Sequence, residues 1–206
     1  ILGLIKPGIK EVELAAELEY QMRLLGSEGP AFDTIIASGL RSALPHGVAS
    51  EKEIAVNELI VIDFGAKYKG YCSDMTRTII LGKASTKVKF IYDLVLKSQL
   101  ESLKYIKAGR TGSEIDNVAR EIINSKGYGD HFGHGLGHGV GLDIHENPRL
   151  ASGWKGHLKP GMVVTVEPGI YLKDWGGVRI EDMVLVTEDG CEIFTKTTKD
   201  LIEIAT

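Results

Sequence analysis

Residues 59–65 read LIVIDFG, four apolar residues that run directly into the carboxylate of Asp63. A short, β-branched run of this kind predicts that these residues form a buried strand. A second strand is predicted over Thr76–Leu81, and Lys67–Gly70 between the two is typical of a hairpin turn. With the turn centred there, Asp63 and Asp74 meet across the hairpin on one face of a sheet.

A second pair of strands is predicted near the end of the chain, over Met162–Val166 and Val178–Val186. Pro168–Gly177 joins them. Glu167 directly follows the first of these strands, and Glu181 lies inside the second. The two glutamates of this pair therefore repeat the placement of the two aspartates.

Three amphipathic helices accompany the strand pairs. Apolar residues at helical spacing predict the first over Lys10–Leu25 and the second over 88–106. The third begins at a capping box of Thr111 and Glu114 and ends at Gly127. The order helix, strand pair, two helices, strand pair predicts an α+β domain. In it, helices cover one face of a curved antiparallel sheet made of two pseudo-symmetric halves.

The composition is that of a globular protein, with 43% hydrophobic and 25% charged residues in a chain of 206. This length accommodates one large domain, which we place over residues 1–206. The net charge of −4 predicts no nucleic-acid partner. No apolar run reaches the ~18 residues that a membrane span needs, so no membrane partner is expected. Cys72 and Cys191 are expected to be reduced thiols, as in a cytoplasmic protein.

A tract rich in glycine and histidine lies between the strand pairs. Residues 132–146 read FGHGLGHGVGLDIHE, in which three histidines are interleaved with glycines. Glycines remove side chains and allow the imidazoles of His134, His138 and His145 to approach a metal or ligand closely. The alternation of apolar residues over Val140–Ile144 predicts an ordered strand here.

The four acids and the histidines together indicate a metal site. One carboxylate beside an apolar strand is most often an edge charge or half of an ion pair. Four such carboxylates change that interpretation, because buried unpaired carboxylates are costly and metal coordination compensates them. Four carboxylates and a histidine are too many for one tetrahedral zinc, and the set lacks structural thiolates. It suits two harder divalent ions, such as manganese, cobalt or iron, roughly 3.5–4 Å apart.

These motifs resemble those of the pita-bread metallopeptidases, the family of methionine aminopeptidase, Xaa-Pro aminopeptidase and prolidase (Xaa-Pro dipeptidase). The resemblance covers nearly the whole chain and implies a pita-bread fold. It implies five metal ligands, which are Asp63, Asp74, His138, Glu167 and Glu181. In the family, the second aspartate and the last glutamate bridge the two ions. The histidine and the first glutamate complete the coordination of one ion, and the first aspartate binds the other.

Three details resemble the proline-specific members of the family. They are HGLGH at 134–138, DMTR at 74–77 and VRIED at 178–182. The implied function is hydrolysis of the bond between an N-terminal residue and proline, by an enzyme of the aminopeptidase P or prolidase type. One alternative is a methionine aminopeptidase, which usually lacks the arginine before the last ligand. Another is a non-catalytic pita-bread binding protein, which would have lost metal ligands.

The resemblance also implies roles for residues around the metals. The expected catalytic residues are His46, His145 and Glu167. The expected substrate contacts are His134, Tyr171 and Arg179. Glu167 would move the proton and His145 would polarise the scissile carbonyl, while His46 would position the substrate. For Arg179, a salt bridge to a metal-binding carboxylate is an equal alternative.

The expected cofactors are two divalent cations, manganese first, with cobalt, zinc or iron as alternatives. The expected partner is a peptide with proline at its second position, and the full-length protein is expected to be a homodimer. The chain starts at Ile1 on an apolar stretch that Lys6–Gly8 closes, like the end of a helix. Xaa-Pro members of the family carry an N-terminal domain, which we expect to precede this segment.

Overall fold

Three α-helices and fourteen β-strands make up the computed structural model, which describes residues 1–206. The helices are α1 (Glu11–Leu24), α2 (Thr86–Tyr105) and α3 (Gly112–Asn124). The strands that precede α2 are β1 (Gly29–Pro30), β2 (Ile35–Ser38), β3 (Glu58–Phe64), β4 (Ala66–Tyr68), β5 (Tyr71–Cys72) and β6 (Met75–Leu81). The strands that follow α3 are β7 (Gly137–Gly139), β8 (Glu146–Leu150), β9 (Val163–Val166), β10 (Gly169–Leu172), β11 (Gly176–Arg179), β12 (Asp182–Val186), β13 (Cys191–Ile193) and β14 (Glu203–Ile204). Short 3-10 helices cover Leu2–Leu4, Gly39–Ala43 and Gly129–His131.

Each half of the chain builds one larger sheet. The first sheet has the order β14-β6-β3-β2, with β3 antiparallel to both of its neighbours and β14 parallel to β6. The second has the order β13-β12-β9-β7-β8 and is antiparallel throughout. Two smaller antiparallel sheets, β1-β4-β5 and β10-β11, extend the two hairpins.

The helices begin and end close to the predicted residues. The capping box of α3 is confirmed, because Thr111 Oγ1 accepts the Glu114 N–H at 3.2 Å and Glu114 Oε2 accepts the Thr111 N–H at 2.7 Å. Gly127 follows α3 with a φ of +80°, a conformation that glycine adopts without strain. The apolar start of the chain forms a short 3-10 turn over Leu2–Leu4.

The strand predicted over Val178–Val186 is in fact two strands, β11 and β12, in different sheets. β11 pairs with β10, β12 pairs with β9, and Ile180 and Glu181 lie in the break. The partner hairpin arm breaks opposite, at Glu167 and Pro168. Proline has no N–H to donate, so the ladder between the arms cannot continue through Pro168. The prediction of one continuous strand was therefore wrong, and both glutamates lie at interruptions of the ladder.

The strand predicted over Val140–Ile144 is also wrong. β7 ends at Gly139, and residues 141–145 form bends before β8 begins. The Gly141 N–H donates to the Asp143 carbonyl at 3.1 Å, which closes a tight turn, and Leu142 is 59% exposed. The apolar alternation thus belongs to a turn whose middle side chain points outward.

Helices cover the sheets and enclose two apolar cores. α2 and α3 pack on each other and share a core of 23 buried residues with strands of the second sheet. α1 packs on β2 over a core of 10 residues from the first half. This arrangement of helices on mostly antiparallel sheets confirms the predicted α+β class. None of the helices is both long and apolar enough to cross a bilayer.

Candidate active site

All ten residues that the sequence singled out line one cavity of about 560 Å³. They are His46, Asp63, Asp74, His134, His138, His145, Glu167, Tyr171, Arg179 and Glu181. Residues from both halves of the chain meet there, and Arg179 and Asp63, which are hydrogen-bonded in the cavity, are 116 positions apart. The fold therefore brings together every predicted site residue.

A compact group of ligand atoms lies at the centre of the cavity. Asp74, His138 and Glu181 are buried, and one possible ligand atom of each lies within 4.8 Å of the others. His138 Nε2 lies 3.6 Å from Asp74 Oδ2 and 3.2 Å from Glu167 Oε1. These are the separations of side chains that converge on a common point.

Asp63 joins this group from the neighbouring strand. In the β3–β6 register Asp63 lies opposite Thr76, so Asp74 is its diagonal neighbour on the same face. The hairpin thus presents both aspartates to the cavity, although they are not directly opposite each other.

Carboxylate oxygens without partners indicate that the site is built for cations. Asp63 Oδ1 and Glu181 Oε1 are buried and accept no hydrogen bond. Burial raises the pKa of Asp63. Burial, and then the neighbouring carboxylates, raise the pKa of Asp74 and of Glu181 well above the usual range. Since buried carboxylates this close repel one another, divalent cations among them would remove the penalty, and the residues present fit such ions.

Hydrogen bonds around the cluster orient its members. Thr76 Oγ1 donates to Glu181 Oε2 at 2.7 Å, and Thr165 Oγ1 donates to Glu167 Oε1 at 2.9 Å. His138 Nδ1 lies 3.0 Å from the Gly139 carbonyl, which can only accept. This bond holds one proton on Nδ1, so Nε2, which faces Asp74 and Glu167, is the nitrogen that could bind a metal.

Glu167 and His138 form an electrostatic pair. Burial favours a raised pKa for Glu167, but the hydrogen bond and charge of His138 outweigh burial and lower the pKa to about 2. For His138, burial acts to lower the pKa, and the bond to Glu167 reverses this and raises it. Glu167 is therefore ionised at neutral pH.

A second row of polar side chains runs along one wall of the cavity. His134 Nε2 lies 2.8 Å from Tyr171 Oη, and Arg179 Nη1 donates to the same oxygen at 2.9 Å. Arg179 Nη2 also donates to Asp63 Oδ2 at 2.6 Å. Burial lowers the pKa of His134 and raises the pKa of Tyr171 to about 12. Arg179 therefore forms the salt bridge to a carboxylate that was its alternative role. Tyr171 lies between Arg179 and His134.

The segment that carries His134 is held from α3. Asp116 is fully buried, accepts the Leu136 N–H at 2.9 Å and pairs with Arg120 at 2.6 Å. Arg120 in turn donates to the carbonyls of Phe132 and His134. The helix thus fixes the backbone on both sides of the histidine.

His145 and His46 complete the polar lining. The His145 ring packs edge-on to that of His138, with 4.4 Å between centroids. Burial lowers the pKa of His145, and the nearby His138 lowers it further. His46 is exposed and lies between the 3-10 turn Gly39–Ala43 and β3.

Sequence reasoning did not single out Arg149, which also lines the cavity. It lies in β8 directly opposite His138 in the β7–β8 register and forms no ion pair. Residues 146–150 read ENPRL, and nothing in those letters marks the arginine as part of a site. A signal appears only once the register places it beside a predicted ligand.

Comparison with known proteins identifies the family. The family model described as metallopeptidase family M24 matches residues 1–188. This chain belongs to metallopeptidase family M24. It is 55% identical over 198 residues to the Xaa-Pro dipeptidase of Pyrococcus furiosus. The match spans 96% of this chain and 57% of that protein.

Solved structures of M24 relatives superpose closely on this chain. An Xaa-Pro dipeptidase from Bacillus anthracis matches with a TM-score of 0.97 at 56% identity, over 98% of this chain and 57% of the other. An X-Pro aminopeptidase from Thermotoga maritima matches with a TM-score of 0.96 at 50% identity, over 98% of this chain and 58% of the other. These matches confirm the predicted pita-bread fold. The chain spans somewhat more than half the length of these M24 relatives.

Proposed function

We propose that this M24 chain is a single catalytic domain, residues 1–206, of a peptidase that hydrolyses the bond between an N-terminal residue and proline. The observation that carries the proposal is the convergence of four carboxylates and His138 in one cavity of an M24 fold. Relatives named Xaa-Pro dipeptidase and X-Pro aminopeptidase, at 50% to 56% identity, support the proline specificity.

The proposed cofactors are two divalent cations, manganese in the first place and cobalt, zinc or iron as alternatives. The residues that would hold them are Asp63, Asp74, His138, Glu167 and Glu181. The unpaired oxygens of Asp63 and Glu181 support this assignment, because each is a buried acceptor with no donor. Bound there, such ions would lower the pKa of a water toward neutrality and stabilise developing negative charge.

Glu167 is the proposed proton carrier of the reaction. Its pKa of about 2 leaves it ionised at neutral pH, so it can accept the proton of the attacking water. The proline nitrogen of the scissile bond is part of a tertiary amide and carries no hydrogen. It must receive a proton as the bond breaks, and Glu167 would deliver the one it accepted.

The histidines would bind and polarise the substrate. Burial keeps His145 and His134 neutral at pH 7, so each can donate one N–H without bringing a charge. His145, packed on His138, is the proposed donor to the carbonyl oxygen of the scissile bond. His134 and Tyr171 would contact the substrate along the cavity wall, and His46 would position it from the opposite half.

Arg149 favours a dipeptidase over an aminopeptidase. It is the cation in the cavity lining that forms no ion pair, whereas Arg179 is paired with Asp63. A free guanidinium suits the carboxylate at the end of a dipeptide, which a longer peptide carries elsewhere. The proposed substrate is therefore a dipeptide with proline in second place.

The remaining proposals concern the setting of the enzyme. Both cysteines are free thiols, which supports a cytoplasmic location. A homodimer of the full-length protein is proposed on the resemblance to the family.

Hydrolysis assays test the proposed function. The chain is loaded with manganese, then cobalt, zinc and iron, and offered Ala-Pro, Ala-Pro-Ala, Met-Ala-Ser and Ala-Ala-Ala. We expect cleavage of Ala-Pro, with none by Glu167→Ala and full activity in the surface control Glu188→Gln. Cleavage of Ala-Pro-Ala as well would indicate an aminopeptidase P. Cleavage of Met-Ala-Ser alone would overturn the proline specificity. Absence of both metal binding and cleavage would overturn the five-ligand assignment and favour a binding protein.

A further inference from the structure

A buried glutamate outside the cavity holds the segment that carries one of its walls. Glu11 is the first residue of α1 and is fully buried. Its Oε1 accepts the N–H and the hydroxyl of Ser38, both at 2.8 Å. Its Oε2 accepts the N–H of Ser50 at 3.1 Å and the hydroxyl of Ser50 at 2.7 Å. One carboxylate thus fastens together two points that are 12 residues apart in the chain.

Arg41 adds a third point of attachment. Its Nη1 donates to Glu11 Oε2 at 2.9 Å, and its Nη2 donates to the Val48 carbonyl at 2.7 Å. The guanidinium therefore ties the start of the enclosed segment to its end, with the buried carboxylate between them. We call Glu11 and Arg41 the Glu11 clamp.

The segment closed by the Glu11 clamp carries one wall of the cavity. Pro45, His46 and Val48 lie within it and line the cavity. The His46 side chain is exposed and forms no hydrogen bond that could orient it. The position of its ring therefore depends on the backbone that carries it, and the Glu11 clamp fixes that backbone at both ends.

We propose that Glu11 and Arg41 are positioning residues that hold His46 in place for the reaction. The inference rests on the proposed function, since it assigns His46 a contact with the substrate. A carboxylate that accepts five hydrogen bonds, one from a guanidinium, has little freedom to shift. Neither residue touches the cavity, because neither is among its lining residues. Their proposed effect on the reaction passes through the backbone of residues 38–50, which carries His46.

A purely stabilising role is the alternative, and it makes a different prediction. Breaking a buried ion pair destabilises a protein wherever the pair lies. Only a positioning role makes the loss of activity depend on the presence of His46. A double-mutant cycle measures this dependence directly.

The experiment compares Glu11→Gln in the wild-type background and in a His46→Ala background, with Ala-Pro hydrolysis as the readout. We expect Glu11→Gln to lower kcat by on the order of tenfold to a hundredfold, with little change in KM, since misplacement of a catalytic side chain costs this much. In the His46→Ala background the same substitution should lower kcat less than twofold. Equal losses in both backgrounds would overturn the proposal.

Arg41 supplies a second, less disruptive variant. Arg41→Lys keeps the charge beside Glu11 but cannot also reach the Val48 carbonyl with a second donor. It should therefore lower kcat, whereas Glu101→Gln, which breaks an exposed ion pair on α2, should not. Unchanged kcat in Arg41→Lys would contradict the clamp.

Hydrogen exchange separates this inference from the proposed function. In Glu11→Gln the amides of residues 39–49 should exchange at least tenfold faster, while those of residues 137–150 should not change. If the wild-type protein cleaves no substrate, the proposed function fails even where this exchange pattern is seen. If the wild type is active and exchange in residues 39–49 does not change, the clamp is overturned and the proposed function stands.

Discussion

At the scale of single residues, Glu167 is the group whose charge state decides the proposed chemistry. We expect Glu167→Gln to lower kcat by about 100-fold to 10,000-fold, because the amide cannot carry the proton from water to the proline nitrogen. The measurement is steady-state hydrolysis of Ala-Pro, with the metal content of each protein determined in parallel. Glu188→Gln, an exposed glutamate in a loop, serves as the matched control. Full activity of Glu167→Gln with normal metal content would exclude the role.

Arg179 is the second residue whose geometry makes a prediction. Its Nε donates to Thr76 Oγ1 at 3.0 Å and its Nη2 to Asp63 Oδ2 at 2.6 Å. One planar group thus orients a proposed ligand, Asp63, and the threonine that donates to another, Glu181. Lysine cannot make both bonds. We expect Arg179→Lys to weaken manganese binding about 10-fold to 100-fold, as removal of a group that orients a ligand does.

Isothermal titration of the metal-free protein with manganese measures this effect. Arg23→Lys, at an exposed position of α1, is the control and should bind as the wild type does. Equal affinity in Arg179→Lys would mean that Asp63 is held in place by other contacts.

At the scale of elements, α3 carries a capping box that the sequence predicted and the structure confirms. Thr111→Ala removes the oxygen that accepts the Glu114 N–H and should lower the free energy of unfolding by about 1 kcal/mol. Urea denaturation followed by circular dichroism measures the change. Ser113→Ala, two residues into the same helix and without a side-chain hydrogen bond, should lower it by far less. Equal losses in the two variants would show that the cap contributes nothing specific.

Two interruptions of strand pairing, at Glu167 and Glu181, place these glutamates in the site. Val178–Val186 reads as one apolar strand, yet the structure divides it into β11 and β12, which pair in different sheets. The predicted connection Pro168–Gly177 in turn contains β10 and the start of β11. The division leaves each glutamate outside the ladder, where its side chain is free to enter the cavity. Pro168 accounts for the break in one arm, because it lacks the N–H that the ladder needs.

At the scale of the whole molecule, the proposed ligands come from both halves of the chain. Asp63 and Asp74 belong to the first hairpin, while His138, Glu167 and Glu181 belong to the second half. Ions held between them would bind the folded state alone, and so stabilise it by about 2.7 kcal/mol at 100 times the Kd. Chelation should therefore lower the Tm of the whole chain.

The size of this metal stabilisation should depend on pH. The pKa values of Asp74, Glu181 and His138 are raised in the metal-free fold, so protons compete with metal for these groups up to a higher pH than usual. Lowering the pH protonates them and weakens metal binding. The rise in Tm on adding manganese should therefore grow as the pH increases from about 5.5 to 8.

Thermal unfolding with and without manganese across this pH range tests the prediction. Because each value is a difference at one pH, shifts from histidines outside the ligand set, such as His134, largely cancel. A rise in Tm that is the same at every pH would contradict the competition between protons and metal.

The sequence by itself determined the three helices, the first pair of strands and the chemical types of the site. Helical and strand periodicity, the capping box at Thr111 and the acids of LIVIDFG depend on neighbours along the chain, so they can be read locally. The resemblance then put the five proposed ligands in order, and the fold brought all of them to one cavity.

Only the tertiary structure decided how these residues contact one another. Arg179 and Asp63 are 116 positions apart, and Glu11 reaches Ser50 across 39. Arg149 enters the cavity through the β7–β8 register alone, and the apolar alternation after Gly139 proved to be a turn. Such contacts follow from the packing of distant segments, which lowers the free energy of the whole fold and leaves no periodic trace in the sequence of either segment.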